Sequence, residues 1–245
     1  MSTGRFVWYD LMTEKPAEAR AFYAALFGWD VQPHAPDYAM LHLDGRPFGG
    51  IVGMRAGEGH GNHWIAYLST DDISETCRRV EAEGGRIFMR HKAPGVGEFA
   101  VIADRQGAAI SPIQLENEGP PRPPEKGDNH IAWAELHTTD PKDAAAFYGK
   151  VFGWPVQSWE GEYLLVGFEH DAGITTGNPH APPHWLLYVN VADTDATVGK
   201  VKELGGQLLF GPRDIPTVGR FAVFADPVGA AFAVMQNFPK SATPA

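Results

Sequence analysis

Apolar positions recur along the chain in two rhythms. In "PAEARAFYAALFGW", Ala19, Phe22, Tyr23, Leu26 and Phe27 fall at the i, i+3, i+4, i+7, i+8 spacing of one buried helix face. Ala144, Phe147, Tyr148, Val151 and Phe152 repeat that stripe in the second half. Pro16 suits a first helical turn and Gly28 a left-handed stop. Asp140, Pro141 and Asp143 give the second helix a box-like start. Around these helices lie short strand-like runs: "RFVWYDLM", "DYAMLHLDG", "FGGIVGMR", and later "EYLLVGFEH" and "AGITTGN". A further strand, "HWIAYLST", leads into a helix from Asp72, with Glu75 at the capping-box position and "EAEGG" as the stop. Strands "RIFMR", "GEFAVIAD" and "AAISPIQLE" complete the half. Each half therefore reads as strand, helix, three strands, then the same again.

The halves are copies. "FYAALFGWDVQ" (22–32) and "FYGKVFGWPVQ" (147–157) share seven of eleven positions. "NHWIAYLSTDD" matches "PHWLLYVNVAD", and "GEFAVIADRQGAAISPIQ" matches "GRFAVFADPVGAAFAVMQ", with an offset drifting between 121 and 125 residues. This is a tandem duplication. The proline-rich stretch "EGPPRPPEKGD" separates the copies as an extended spacer. The expected organisation is a first domain over 1–117, a linker over 118–129 and a second domain over 130–240. Phe22, Tyr23, Phe27, Trp29 and their copies read as scaffold, because aromatic side chains of this size dominate core energetics.

Composition narrows the partners. The 245 residues are 44% hydrophobic and 20% charged, enough for a normal core. The formal net charge of -10 supplies no basic face, so neither nucleic acid nor an anionic membrane is expected as a partner. No run approaches the ~18 apolar residues of a membrane span, and "MSTGRFVWYD" contains no apolar signal region. With one cysteine, Cys77, no internal disulfide can form, and a cytoplasmic location is expected. Cys77 lies on the apolar stripe with Ile73 and Val80 and reads as a buried, inert thiol.

Some residues attract chemical attention without earning it. Asp104 in "ADRQGA" and Asp226 in "ADPVGA" read as turn residues, each followed by a glycine suited to positive φ. The pairs His60/His63 in "HGNH" and His180/His184 in "HAPPH" sit among Gly, Asn and Pro. They read as loop histidines, since a metal site needs three or four convergent ligands. His34, His42, His91, His130 and His170 have no ligand spacing.

The segments "TEKPAEARAFYAALFGW" and "TTDPKDAAAFYGKVFGW", each after a short strand, together with the closing "FADPVGA", resemble the vicinal oxygen chelate superfamily. That group includes glyoxalase I, bleomycin-resistance proteins, fosfomycin-modifying enzymes and extradiol dioxygenases. The resemblance covers essentially the whole chain, twice, and is closest to the tandem glyoxalase-like subgroup. It implies an α+β fold of paired βαβββ modules, two per domain and four in all, with each pair curling into a half-open barrel. It implies fold more strongly than reaction.

Metal-dependent members of that superfamily hold one divalent ion. By the resemblance, the first-strand ligand position falls on Trp8 and Trp133, and the usual closing Glu on Ser111 and Ala233. The fourth strands, "GGIVGM" and "GITTGN", offer no carboxylate. The strand opening the second quarter of each half begins at Trp64 or Ile65, and at Trp185 or Leu186. Indole is a donor with no lone pair to give, so no metal ligand is assigned and no cofactor is expected. The alternative is one divalent metal such as Zn, Mn, Ni or Fe.

A Trp opens each quarter: Trp8, Trp64, Trp133 and Trp185. Strand alternation places Trp8, Asp10 and Met12 on one face, and Trp133, Glu135 and His137 on another. In the register that the resemblance implies, those faces line the cavity, and Tyr67 and Tyr188 add phenolic hydroxyls. The expected ligand is a small hydrophobic or aromatic metabolite or drug, bound without metal. Asp10 and Glu135 are the candidates for acid–base catalysis. Two other readings stay open. One is a divalent-metal enzyme: a glyoxalase I-like lyase, an isomerase, or a dioxygenase or hydroxylase. The other is a structural module whose tryptophans plug the cavities. Monomer and homodimer are both compatible with an internal duplication.

Overall fold

The computed structural model describes residues 3–57, 61–117, 127–170 and 172–239. His60 and most of the expected linker, residues 118–126, lie outside the described residues. The first half runs β1 (Phe6–Thr13), α1 (Pro16–Phe27), β2 (Asp30–Ala35), β3 (Tyr38–Leu43), β4 (Arg46–Gly53), β5 (His63–Ser69), α2 (Ile73–Ala82), β6 (Arg86–Ala93), β7 (Gly97–Ala103) and β8 (Ala109–Leu115). The second half repeats the order. It runs β9 (Ile131–Thr138), α3 (Pro141–Phe152), β10 (Val156–Ser158), β11 (Leu164–Val166), β12 (Ala172–Thr176), β13 (His184–Asn190), α4 (Thr194–Glu203), β14 (Gln207–Ile215), β15 (Gly219–Ala225) and β16 (Ala231–Asn237). These are the four βαβββ modules expected of the sequence. The strands form two eight-stranded sheets, ordered β2-β3-β4-β1-β5-β8-β7-β6 and β10-β11-β12-β9-β13-β16-β15-β14. Neither order closes into a barrel.

The helix ends follow their local chemistry. Gly28 and Gly153 stop α1 and α3 at φ 71° and 74°, a region where a side chain would be strained. The Asp72 carboxylate accepts the Glu75 N–H at 2.8 Å, and Asp140 accepts from both Lys142 and Asp143. At α1 Pro16 occupies the first turn and no side chain caps.

Contacts divide the chain into two compact units, and each draws on both copies of the repeat. One consists of residues 1–10, 65–122 and 133–186, and the other of residues 11–64, 123–132 and 187–245. Within the second unit, Phe22 and Phe27 of α1 meet the ring of Phe232, which belongs to the other half of the sequence, at 6.0 and 5.9 Å. The Trp29 indole donates to the Asn129 carbonyl at 2.6 Å. Within the first unit, the Trp154 indole donates to the Gly4 carbonyl at 2.6 Å, Arg105 pairs with Asp143, and Lys150 pairs with Glu83. The duplicated aromatic stripe is thus covered by side chains from the opposite copy.

Candidate functional site

The richest cluster of chemistry lies on β9 and the strands beside it, within the first unit. Trp133, Glu135 and His137 alternate onto one face of β9, as the period of a strand requires. Next to β9 in the sheet runs β12, in parallel, with Gly173 opposite Glu135. Beyond it, β11 pairs antiparallel, Leu165 opposite Gly173. Tyr163, just before β11, lays its ring over Gly173; a Cβ there would fall well inside contact distance of the phenol. The missing side chain is what lets the hydroxyl reach across a strand.

That hydroxyl donates to Glu135 Oε2 at 2.7 Å and accepts from Trp133 Nε1 at 3.2 Å. Glu135 Oε1 accepts from His137 Nε2 at 2.7 Å. The His137 ring stacks on His184 at 5.2 Å and 13°. His184 Nδ1 donates to the Pro182 carbonyl at 2.8 Å. The result is a continuous chain of indole, phenol, carboxylate and two imidazoles. It is sheltered but open to solvent: the Glu135 and His137 side chains are 13% and 24% exposed. Burial, and then the adjacent Glu135 charge, push the Tyr163 phenol far above its ordinary range, so it stays a donor. Burial holds His184 below the usual imidazole value, and the neighbouring His137 adds to this.

The first half carries a reduced version. Trp8 Nε1 donates directly to Asp10 Oδ1 at 2.9 Å, and Asp10 is buried. Tyr38 lies over Gly50 as Tyr163 lies over Gly173. At the place of His137 stands Met12. His63, the counterpart of His184, bonds the Gly61 carbonyl through Nδ1.

The other expected site residues belong elsewhere. Trp64 and Trp185 are buried, and their indoles donate to the Tyr23 and Tyr148 hydroxyls at 3.0 and 2.9 Å. Each ring stands edge-on to its tyrosine, at 82° and 86°. The two therefore plug the core under the helices, unlike the sheet-face Trp8 and Trp133. Tyr67 and Tyr188 lie on the opposite faces of β5 and β13, buried against Phe99 and Phe221. Tyr23 and Tyr148 in turn donate to Asp226 at 3.0 Å and Asp104 at 3.3 Å. Both aspartates act as turn residues, accepting N–H groups of Val228 and Ala230, and of Gln106 and Ala108. Burial raises both carboxyls above the ordinary range, and these hydrogen bonds hold the rise back. Cys77 is a buried free thiol raised by burial.

At the first-strand positions that the sequence resemblance assigns to a metal ligand, Trp8 and Trp133 present N–H donors already bonded to Asp10 and Tyr163. Ser111 is buried with its hydroxyl on the Ala100 carbonyl, and Ala233 has no ligand atom. Among the described residues, no group of three or more His, Cys, Asp or Glu is disposed to hold a metal ion. Nor is any helix among them long and apolar enough to cross a membrane.

Sequence reasoning missed Tyr163, Gly173 and His184. A tyrosine opening the third strand above a glycine in the fourth occurs in both halves, and that was the available signal. His63 and His184 were expected in loops; both are the first residue of a strand.

Known proteins agree with this architecture. The family model for the Glyoxalase/Bleomycin resistance protein/Dioxygenase superfamily matches residues 129–234, and a glyoxalase-like domain model matches residues 7–111. The chain belongs to that superfamily, as a tandem of two such domains. It is 35% identical to the "Putative glyoxylase CFP32" of Mycobacterium tuberculosis over 95% of both chains. It is 32% identical to the anthracycline biosynthesis protein DauV of Streptomyces sp. strain C5, over 95% of this chain and 93% of that one. Among solved structures, the Mn(II)-bound glyoxalase from Novosphingobium aromaticivorans superposes with a TM-score of 0.70. The identity is 19%, over 96% of this chain and 82% of that one. At that identity the likeness carries the fold alone.

Proposed function

We propose that the chain binds a small planar aromatic metabolite against the Trp133–Glu135–Tyr163 face, without a divalent metal. The observation that carries this reading is the hydrogen-bonded run from Trp133 through Tyr163 to Glu135, on a partly open sheet face. Indole and phenol rings fixed by hydrogen bonds give a ligand apolar contact at little entropic cost, and offset stacking adds about 0.5–1.5 kcal/mol. A carboxylate beside them recognises a hydroxyl or a cation. Two further points support it. At three of the positions that the resemblance assigns to metal ligands, Trp8, Trp133 and Ala233 offer no lone pair to an ion, so those residues do not fit a metal there. Relatives at 32% and 30% identity are named for anthracycline biosynthesis, and anthracyclines are fused-ring aromatic compounds.

Titration with naphthoquinones and anthraquinones in EDTA, read by tryptophan fluorescence, tests the proposal. Saturable quenching is expected, and Trp133→Leu weakens it by about 3- to 10-fold, the equivalent of one stacking contact. Binding that EDTA abolishes and Mn²⁺ or Zn²⁺ restores would overturn it, as would the absence of any saturable quenching.

A further inference from the structure

The two imidazoles of the cluster, when neutral, are set in defined tautomers by their partners. The Glu135 carboxylate can only accept from His137 Nε2, and the Pro182 carbonyl can only accept from His184 Nδ1. In neutral rings the lone pairs are then His137 Nδ1 and His184 Nε2, and neither nitrogen has a protein partner among the described residues. A carboxylate that holds one imidazole nitrogen as a donor makes the other a base, since it stabilises the imidazolium that forms. Tyr163 fixes that carboxylate from its other oxygen. The second half alone has this set, because Met12 stands where His137 would be in the first.

Building on the aromatic-binding reading, we propose that Glu135 and His137 form a general base that deprotonates a ring hydroxyl of the bound aromatic ligand. The ligand O–H bond breaks and its electron pair stays on oxygen as the phenolate. A new N–H bond forms at His137 Nδ1, and the imidazolium is neutralised by Glu135 at Oε1. The step is redox-neutral and needs no co-reactant. Among the described residues, His137 bonds Glu135 on its own strand and stacks on His184 of β13, Tyr163 reaches it through Glu135, and its sheet neighbour Thr175 does not titrate. Burial, the largest influence on His184, lowers its pKa and so disfavours a second positive charge beside the imidazolium. The substrate class is therefore a hydroxylated planar aromatic or hydroxyquinone, taken up as its anion.

A hydroxyanthraquinone dye whose free hydroxyl ionises above about pH 9 tests this in EDTA at about pH 7.5, where the free dye is neutral and an ordinary imidazole can accept a proton. Fluorescence quenching reports binding, and visible absorption reports ionisation. The wild type is expected to bind the dye and show the red-shifted phenolate band. His137→Gln is expected to keep saturable binding, weakened by about the 10-fold that ionisation of the bound dye contributes, while the bound dye stays neutral. Glu135→Gln is expected to move the ionisation midpoint of the bound dye upward by about 1 pH unit or more, because the imidazolium loses its counter-charge. Thermal melts of both variants confirm folding. Quenching with a neutral spectrum in the wild type overturns the base and leaves the binding reading standing. A phenolate band that survives in His137→Gln overturns the assignment to His137. No quenching at all removes the binding reading and this one with it.

Discussion

Tyr148→Phe is the sharpest perturbation of the fold, because it deletes one atom at the centre of a buried network. The ring keeps its stack on Trp154 at 5.4 Å and its edge contact with Trp185 at 5.3 Å. Two bonds are lost: donation to the Asp104 carboxylate at 3.3 Å and acceptance from the Trp185 indole at 2.9 Å. A hydrogen bond to a charged group contributes about 1.5–3 kcal/mol, and a buried donor left unsatisfied costs about 1–3 kcal/mol. The two losses share one atom and are not additive, and Asp104 keeps the N–H groups of Gln106 and Ala108. The expected cost is about 2–4 kcal/mol, read as a fall of roughly 1 M in the urea midpoint.

The pH dependence carries a second, independent sign. Burial raises Asp104 above its ordinary carboxyl value, so the native state binds more protons than the unfolded one in that window. Stability contributed by this group is therefore full below the ordinary value and falls as pH rises through the raised one. The Tyr148 bond favours the ionised form and offsets part of that fall. Removing it should cost most at neutral pH and less in acid, where Asp104 is protonated in both proteins. In an Asp104→Asn background, Tyr148→Phe should lose its pH dependence and keep the part of its cost that comes from the Trp185 indole left without an acceptor. A cost below about 0.5 kcal/mol at neutral pH, or one that does not change with pH, would refute the reasoning. Tyr23→Phe repeats the experiment against Asp226 and should behave alike.

Gly173→Ala should push the Tyr163 phenol off Glu135 and cost about 1–3 kcal/mol by overpacking, with weaker quenching by the aromatic probes. In a Tyr163→Ala background the same change should be nearly neutral by thermal melting; an equal cost in both backgrounds would mean that the phenol is not the obstacle. Residues 1–117 or 127–245 expressed alone should show no cooperative melt by circular dichroism, because each would expose the stripe that the other half covers. Co-expression should restore one, and a cooperative transition in either half by itself contradicts the cross-covered core.

What the sequence made legible was local. The stripe through Phe22, Tyr23 and Phe27 repeats every three or four residues, and the glycine and aspartate caps sit at fixed offsets from it, so the helices could be placed from spacing alone. Which strands that stripe covers is a different kind of fact. The two copies of the stripe are nearly identical, so neither periodicity nor composition distinguishes closure within one half from closure on the other. The partners Tyr23 and Asp226 lie 203 residues apart. The site divides along the same line. Alternation along one strand placed Trp133, Glu135 and His137 on one face, as β9 has them. It also led Trp64 and Trp185 to be grouped with Trp8 and Trp133, because all four open a quarter; only the tyrosines packed on them set them apart. Tyr163 reaches Glu135 through the register of three strands and a glycine between, which no single-strand period encodes. His184 hid behind the two prolines that precede it. Once the scaffold is seen to be symmetric in its core networks, the asymmetry of Met12 against His137 becomes informative. The duplication keeps the tyrosine–aspartate lock in both copies and, among the described residues, stacks two imidazoles on the second sheet alone, so the lock holds the fold in each half while the imidazole pair is what the proposed base rests on.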